Sequence, residues 1–483
     1  MMKALLTVLS ICATLLFTTS PEARSQSAER RSTLADQKEV AVTIYNQNLA
    51  LIKDSRLITL DRGFNELAFR EVSANIRPET ALLRNVAGSR GPQVIEQNFD
   101  FDLLTPHKLL EKFVGRTVRL VKTHPTTGAE TVVEARVLST NNGVVLQVGD
   151  RIEIGIPGRV VFDSVPANLR DRPTLVMQLH SPIAGAQMLE LSYLTGGLSW
   201  KADYVAELNA ADNRLDLQGW VTLTNKSGTT YTNAKLQLVA GDVHRARREM
   251  EALRAGKSAP MVAAEAKVDM AEESLFEYHL YTLNRPTTVA DNQTKQVALL
   301  SAEAVPVKKE FLLKGRNYYY RSSYGDLGQK LKVGVYVDFE NKERSHLGKP
   351  LPKGIVRVYK KDSSGNAQFV GEDNIDHTPK NEKVRLKLGD AFDVTADKKQ
   401  TNFRKQASTR RYHYAFESAY EIKLKNAKKE AVTVTVHEPV PGDWRILEET
   451  QPHTKEAAGT AVWRIKVPAE GEATLRYRVL VRY

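Results

Sequence analysis

Across residues 191–244, hydrophobic and polar side chains trade places at every second position, and the rest of the chain is organised around this stretch. Tyr204, Ala206 and Leu208 alternate with their neighbours, and Val221, Leu223, Leu236 and Leu238 continue the alternation. A period of two turns one row of side chains towards a core and the other towards water, so the stretch predicts three strands. Between the second and third, Asn225-Lys226-Ser227-Gly228 reads as a turn, because Asn and Gly accept the positive φ of a tight reversal. The design recurs twice. Gly334 to Lys342 is answered by Ile355 to Tyr359, and Tyr420 to Asn426 by Val432 to Val436. Asn225, Asn341 and Asn426 thus mark three similar hairpins, and the fold class predicted is mainly β, with antiparallel immunoglobulin-like β-sandwiches.

Towards the N-terminus the pattern changes in detail but stays extended. Residues 39–60 read as strand, turn and strand about Asn46-Gln47-Asn48, and Asp61-Arg62-Gly63 leads into a further strand at 65–69. One short helix is predicted at 105–115. Thr105 can cap its first free amides, Pro106 suits its first position, and Leu109, Leu110, Phe113 and Val114 form an apolar face closed by Gly115. Five short strands follow, within 116–122, 131–138, 143–148, 150–155 and 158–163, a count that predicts a small β-barrel-like module. Residues 245–275 break the alternation with charged residues, Ala and Met, and predict a mobile loop. The expected organisation is a flexible 26–36, N-terminal strands at 37–105, the small module at 116–165, a central sandwich domain at 170–330 and a C-terminal sandwich domain at 331–483.

The first 25 residues carry the clearest targeting signal. Met1-Met2-Lys3 is a short positive start, Ala4 to Phe17 is an apolar run, and Ala23 and Ser25 give the small residues of a cleavage site after Ser25. The apolar run is shorter than the roughly 20 residues a spanning helix requires. Export to the periplasm or beyond is therefore expected, with no integral membrane span after cleavage. Lys3, Glu22 and Arg24 leave with the signal, taking the formal net charge from +12 to +11, and so does Cys12, the single cysteine of the chain. The mature protein then has no thiol and no disulfide framework. The basic balance suits acidic surroundings such as anionic lipid or polysaccharide. Export disfavours nucleic acid, and solvated strand faces account for much of the charge.

No complete catalytic set is visible. The ten histidines are spaced too widely for a ligand pair on one helix or strand, and no nucleophile elbow or phosphate-binding glycine loop occurs. No cofactor and no metal are expected; Met250, Met261 and Met270 set no coordination geometry. His244 following Asp242 is the best acid–base pair available. Asp100 and Asp102, alternating with Phe99 and Phe101, would project on one side of a strand as paired carboxylates, a spacing a glycosidase could use but one that a solvated strand face explains better. Tyr318-Tyr319-Tyr320 with Arg321, and Tyr412-His413-Tyr414 after Arg410-Arg411, mix aromatic and basic residues, an arrangement that serves either a strand core or a ligand surface. The final strand places Leu475, Tyr477, Val479, Val481 and Tyr483 on one face. Outer-membrane barrels end this way, but the short, doubly charged strands before it favour a last sandwich strand.

Several segments together resemble one exported bacterial family. They are Gly197-Leu198-Ser199-Trp200-Lys201-Ala202-Asp203-Tyr204, Gly219 to Asn225, Ala234 to Val243, Asp291 to Val297, and Leu351-Pro352-Lys353-Gly354. The family is the domain of unknown function 4139, which has mucoidy-inhibitor-like relatives. The resemblance spans about 170–483, and 39–105 resembles the part that usually precedes it. It implies a β-sandwich and an extracytoplasmic setting, and carries no reaction or catalytic residue. Some relatives hold a long coiled coil where this chain has the 116–163 module.

Two function classes follow. The first is a non-enzymatic envelope protein that binds a protein or polysaccharide partner, with Trp200, Asp203, Tyr204, Asp242, His244 and Asp291 as its candidate surface. The alternative is an extracytoplasmic hydrolase acting on glycan or peptide, with carboxylates near Asp203 or Asp242.

Overall fold

The computed structural model describes residues 29–483 apart from 87, 89, 90, 101, 167, 168, 242–269 and 408–411. The expected signal segment and most of the expected 245–275 loop lie outside the described residues. The chain forms two compact units. One takes residues up to 36, 57–71 and 84–188; the other takes 37–56, 72–83 and 189–483.

The first unit holds two sheets. Four strands, in the order Arg30–Ser32, Gly63–Arg70, Thr174–Ser181, Gln93–Asp100, make the smaller one. Arg30, Arg31 and Ser32 pair in parallel with Leu67, Ala68 and Phe69, so part of the stretch expected to be flexible is a bonded edge strand. Strand Gly63–Arg70 lies beside Thr174–Ser181 here and has no partner among the strands at 39–60.

The second sheet is the 116–165 module, with strands Thr117–Thr123, Glu130–Ser139, Val145–Val148, Arg151–Ile154 and Arg159–Val161. Its order is linear, ending at Arg151–Ile154 on one side and Arg159–Val161 on the other. The predicted strands are present, but the sheet is open where a closed barrel was expected. The reason is local. Helix Pro106–Lys112 supplies Leu110 and Phe113 to a core with Val118, Leu120, Ala135, Val137 and Leu146. A covered apolar face removes the need for the sheet to close on itself. Thr105 caps that helix as predicted, its hydroxyl accepting the Lys108 amide at 3.2 Å, and Gly115 leaves it at φ +83°.

The second unit is built from two large sheets. In one, Gln37–Tyr45 lies between Leu49–Leu60, antiparallel, and Tyr231–Ala240, parallel. Ala271–Leu275 and Tyr278–Thr282 extend it, and Met270 just ahead of them is buried, so the end of the stretch expected to be a loop is a paired strand. The other sheet contains thirteen strands. Its pivot is the long strand Gln293–Lys314, which pairs with Arg214–Asn225 along its first part and with Asp326–Glu340 and Val432–Pro439 along its last. Strands expected in separate domains on either side of residue 330 therefore share one hydrogen-bonded sheet.

Asn225, Asn341 and Asn426 do mark three equivalent turns, but the turns are not hairpins. Arg214–Asn225 has Leu198–Leu208 and Gln293–Lys314 as neighbours; Asp326–Glu340 has Gln293–Lys314 and Lys383–Gln406; Ala415–Asn426 has Lys383–Gln406 and Gly471–Arg482. Both edges of each strand are thus occupied, and the following strand must leave for another set of partners. Each buried Asn holds such an arch closed. Asn225 Nδ2 donates to the carbonyls of Thr229 (2.9 Å) and Val289 (3.1 Å), while its Oδ1 accepts the Ser227 amide. Asn426 donates to Glu430 and Pro468, both at 2.8 Å, and accepts from Lys428. Asn341 donates to Lys349 and Pro379 and accepts from Gly348. One primary amide, with two donors and one acceptor, satisfies three main-chain groups that would otherwise be stranded away from water.

Towards the C-terminus a single core joins the layers. Tyr420, Ile422, Leu424, Leu475, Tyr477, Val479 and Val481 meet Val434, Val436, Trp463, Ile465 and Val467. The last strand, Gly471–Arg482, lies between Ala415–Asn426 and Asp443–Glu449, a sandwich strand as expected. Its outward arginines are paired, Arg476 with Glu421 and Arg478 with Glu417. Among the described residues no helix is long and apolar enough to cross a membrane.

Candidate functional site

Of the surface residues singled out from the sequence, Trp200, Asp203, Tyr204 and Asp291 are described, and they do not share one exposed surface. Trp200, Asp203 and Tyr204 share strand Leu198–Leu208, where alternation sends Trp200 and Tyr204 to the opposite face from Asp203. Trp200 and Tyr204 are core residues, and the Tyr204 hydroxyl donates to the Pro352 carbonyl at 2.8 Å. Asp203 accepts from Thr222 Oγ1 at 2.8 Å and Arg357 Nη1 at 3.1 Å, with Lys201 at 3.3 Å, so its charge is already answered. Asp291 fastens a turn: its carboxylate accepts the Gly228 amide, and its own amide donates to Thr230 Oγ1. Asp242 and His244 lie outside the described residues.

Of the other candidates, Asp100, Asp102, Tyr319 and Tyr320 are held by internal partners or the core, whereas Tyr318 and Tyr414 are exposed. Asp100 accepts from Arg170 Nε at 2.8 Å. Asp102 is paired with Lys112 at 2.8 Å and Lys108 at 3.5 Å, and the hydrogen bond from Lys112 leads in holding its carboxyl below the ordinary range. Tyr319 and Tyr320 are buried in the C-terminal core.

A charged concavity lies elsewhere among the described residues, on the polar face of the pivot sheet. Five neighbouring strands contribute, in the order Lys383–Gln406, Asp326–Glu340, Gln293–Lys314, Val432–Pro439, Thr460–Val467. On the pivot strand, Phe311 and Leu313 turn into the core, which sends Lys308, Glu310, Leu312 and Lys314 to the other side. Asp338, Thr435 and His437 flank them, and Glu456 and Arg464 close one margin. The groove has a volume of about 430 Å³, within the range of small-ligand sites.

Its charges fall into two groups. Glu310 is fixed from both sides, by Arg385 Nη2 at 2.6 Å and Thr435 Oγ1 at 2.7 Å. Burial pushes the Glu310 carboxyl up, but the Thr435 hydrogen bond and the Arg385 charge outweigh it and hold the group below its ordinary value. Arg385 also lies over the Tyr336 ring at 4.6 Å, Arg464 is paired with Glu456 at 2.9 Å, and Lys383 with Asp338 Oδ2 at 2.7 Å. The second group has unfilled hydrogen-bonding capacity. Among the described residues Lys308 and Lys314 form no ion pair, and both are exposed. Asp338 is 5% exposed; its Oδ1 faces Arg385 Nε at 3.8 Å but accepts no hydrogen bond, and His437 Nδ1 has no hydrogen-bond partner either. A buried carboxylate oxygen left without a donor costs about 1–3 kcal/mol or more, a deficit that a ligand's hydroxyl or amine would relieve.

Sequence reasoning did not single out these residues. The alternation of Lys308, Glu310, Leu312 and Lys314 against Phe311 and Leu313 was a visible signal of a charged strand face. The partners across the sheet come from positions as distant as 336, 385, 435 and 464, and local pattern cannot bring them together.

A mainly β protein of mixed, mostly antiparallel sheets, with a charged groove on the polar face of one sheet, is the class that this architecture defines. The family model described as "Domain of unknown function (DUF4139)" matches residues 189–483, and the chain belongs to that family. No curated protein matches the chain.

Proposed function

We propose that the protein is an exported, non-enzymatic component of the cell envelope that binds a polymeric partner in the groove along the Gln293–Lys314 strand. The observation that carries this reading is the juxtaposition on one groove of Lys308 and Lys314, which form no ion pair among the described residues, with Asp338 Oδ1, which accepts no hydrogen bond and has only Arg385 Nε facing it at 3.8 Å. Export rests on the signal anatomy of Met1 to Ser25. A hydrolytic reading asks for a carboxyl held protonated as a general acid. Glu310 is driven the other way by Thr435 and Arg385.

The test is affinity capture from cell-envelope extract, with the mature chain as bait beside its Lys308→Glu/Lys314→Glu variant. Envelope material retained by the first and lost by the second, with the melting temperature unchanged, is the expected result. Equal retention by both would remove the groove from the function.

A further inference from the structure

We infer that the groove's ligand is an acidic polysaccharide lying along the Gln293–Lys314 strand, with uronate carboxylates at Lys308 and Lys314 and a sugar hydroxyl on Asp338 Oδ1. This rests on the groove being the binding surface and adds the chemical class of what is bound.

Three observations carry it. First, spacing. Lys308 and Lys314 lie on one face of one strand six residues apart, so they mark points roughly 20 Å apart along it. That separation suits a linear polyanion carrying charge at intervals and is too wide for a single phosphate or carboxylate. Second, hydrogen-bond polarity. An ionised carboxylate only accepts, and Asp338 Oδ1 accepts no hydrogen bond, Arg385 Nε standing 3.8 Å away, although the residue is 95% buried. A ligand that fills this acceptor brings O–H or N–H donors as well as negative charge, and each uronate unit carries both, a carboxylate on C5 and hydroxyls on C2 and C3. Asp338 stands directly opposite Lys308 in the strand pairing, which puts the acceptor beside one of the cations.

Third, the kind of surface. Extended peptides are most often bound by adding a strand to a sheet edge, where main-chain groups are free. The floor of this groove has no such edge. Gln293–Lys314, Asp326–Glu340 and Val432–Pro439 each have neighbours on both sides, so only side chains face the ligand. A chain read through its hydroxyls and carboxylates fits that face better than a polypeptide.

The experiment is a titration of the mature protein with a polygalacturonate oligomer, the same oligomer after reduction of its carboxyls to neutral galactose units, inorganic polyphosphate and polyglutamate. The acidic oligomer is expected to bind, with affinity falling as salt is raised. The reduced oligomer and the Lys308→Gln/Lys314→Gln protein are each expected to lose about tenfold or more, the loss of roughly one charge-assisted contact. Asp338→Asn removes a negative charge beside Lys308, so polyphosphate should bind more tightly, and the acidic oligomer should gain less than polyphosphate because its hydroxyl loses a charged acceptor. Polyphosphate or polyglutamate binding as tightly as the uronate, or a uronate affinity indifferent to the lysine substitutions, would overturn the assignment. Envelope capture that depends on Lys308 and Lys314 without uronate binding would keep the groove and reject this ligand class.

Discussion

Lys398 Nζ stands 2.6 Å from Glu438 Oε1 in the C-terminal core, and solvent reaches neither side chain (2% and 0% exposed). The Tyr320 hydroxyl donates to the other carboxylate oxygen at 2.7 Å and lies 3.0 Å from the Tyr477 hydroxyl. The ammonium sits over the Tyr319 ring at 4.5 Å and the Tyr420 ring at 5.3 Å. Burial draws the Lys398 pKa below its ordinary value, with Glu438 opposing the shift. Gly315 completes the enclosure, since a Cβ there would overlap the Glu438 carboxylate.

Removing one member of this pair strands the other. Lys398→Met is expected to cost about 3–5 kcal/mol, because Glu438 would keep its desolvation penalty without its cation. Lys398→Met with Glu438→Gln should recover a large part of that loss, since the amide oxygen still accepts from Tyr320 and no charge remains. Urea unfolding of the two variants measures both. A single-variant cost under about 1 kcal/mol would show that the pair is not holding the core.

The extended architecture was legible in the sequence because each strand states its own faces. Leu475, Tyr477, Val479 and Val481 alternate with arginines, and all four are buried as that alternation requires. Helix Pro106–Lys112 was equally readable, since its start and stop signals, Thr105, Pro106 and Gly115, lie within one short segment of chain. Pairing was not. Asn225, Asn341 and Asn426 end similar strands, but whether the next strand returns alongside or crosses depends on which edges remote strands have already taken. The same holds for the groove, where Asp338, Thr435 and Arg385 meet only through sheet order. Trp200 and Tyr204 stood out by residue type and turned out to be core, because aromatic content alone does not say which face of a strand is wet.

The arches yield a sharp substitution. Asn426→Asp preserves size but removes the two N–H donors that serve the Glu430 and Pro468 carbonyls, and puts a negative charge against both oxygens. It is expected to destabilise the protein by about 2 kcal/mol or more at neutral pH, as much as Asn426→Ala or worse. Thermal unfolding of the pair of variants checks it. An aspartate variant as stable as the parent would mean that Asn426 does not close its turn.

The central claim is that Lys308 and Lys314 meet the ligand, and lysine footprinting tests it most directly. The mature protein is acetylated with and without the polygalacturonate oligomer, and each lysine is read by peptide mass spectrometry. The account predicts that Lys308 and Lys314 become protected while the highly exposed Lys332, whose side chain is 79% accessible, reacts as before. Protection at other lysines, with Lys308 and Lys314 still fully reactive in the presence of bound oligomer, would contradict it.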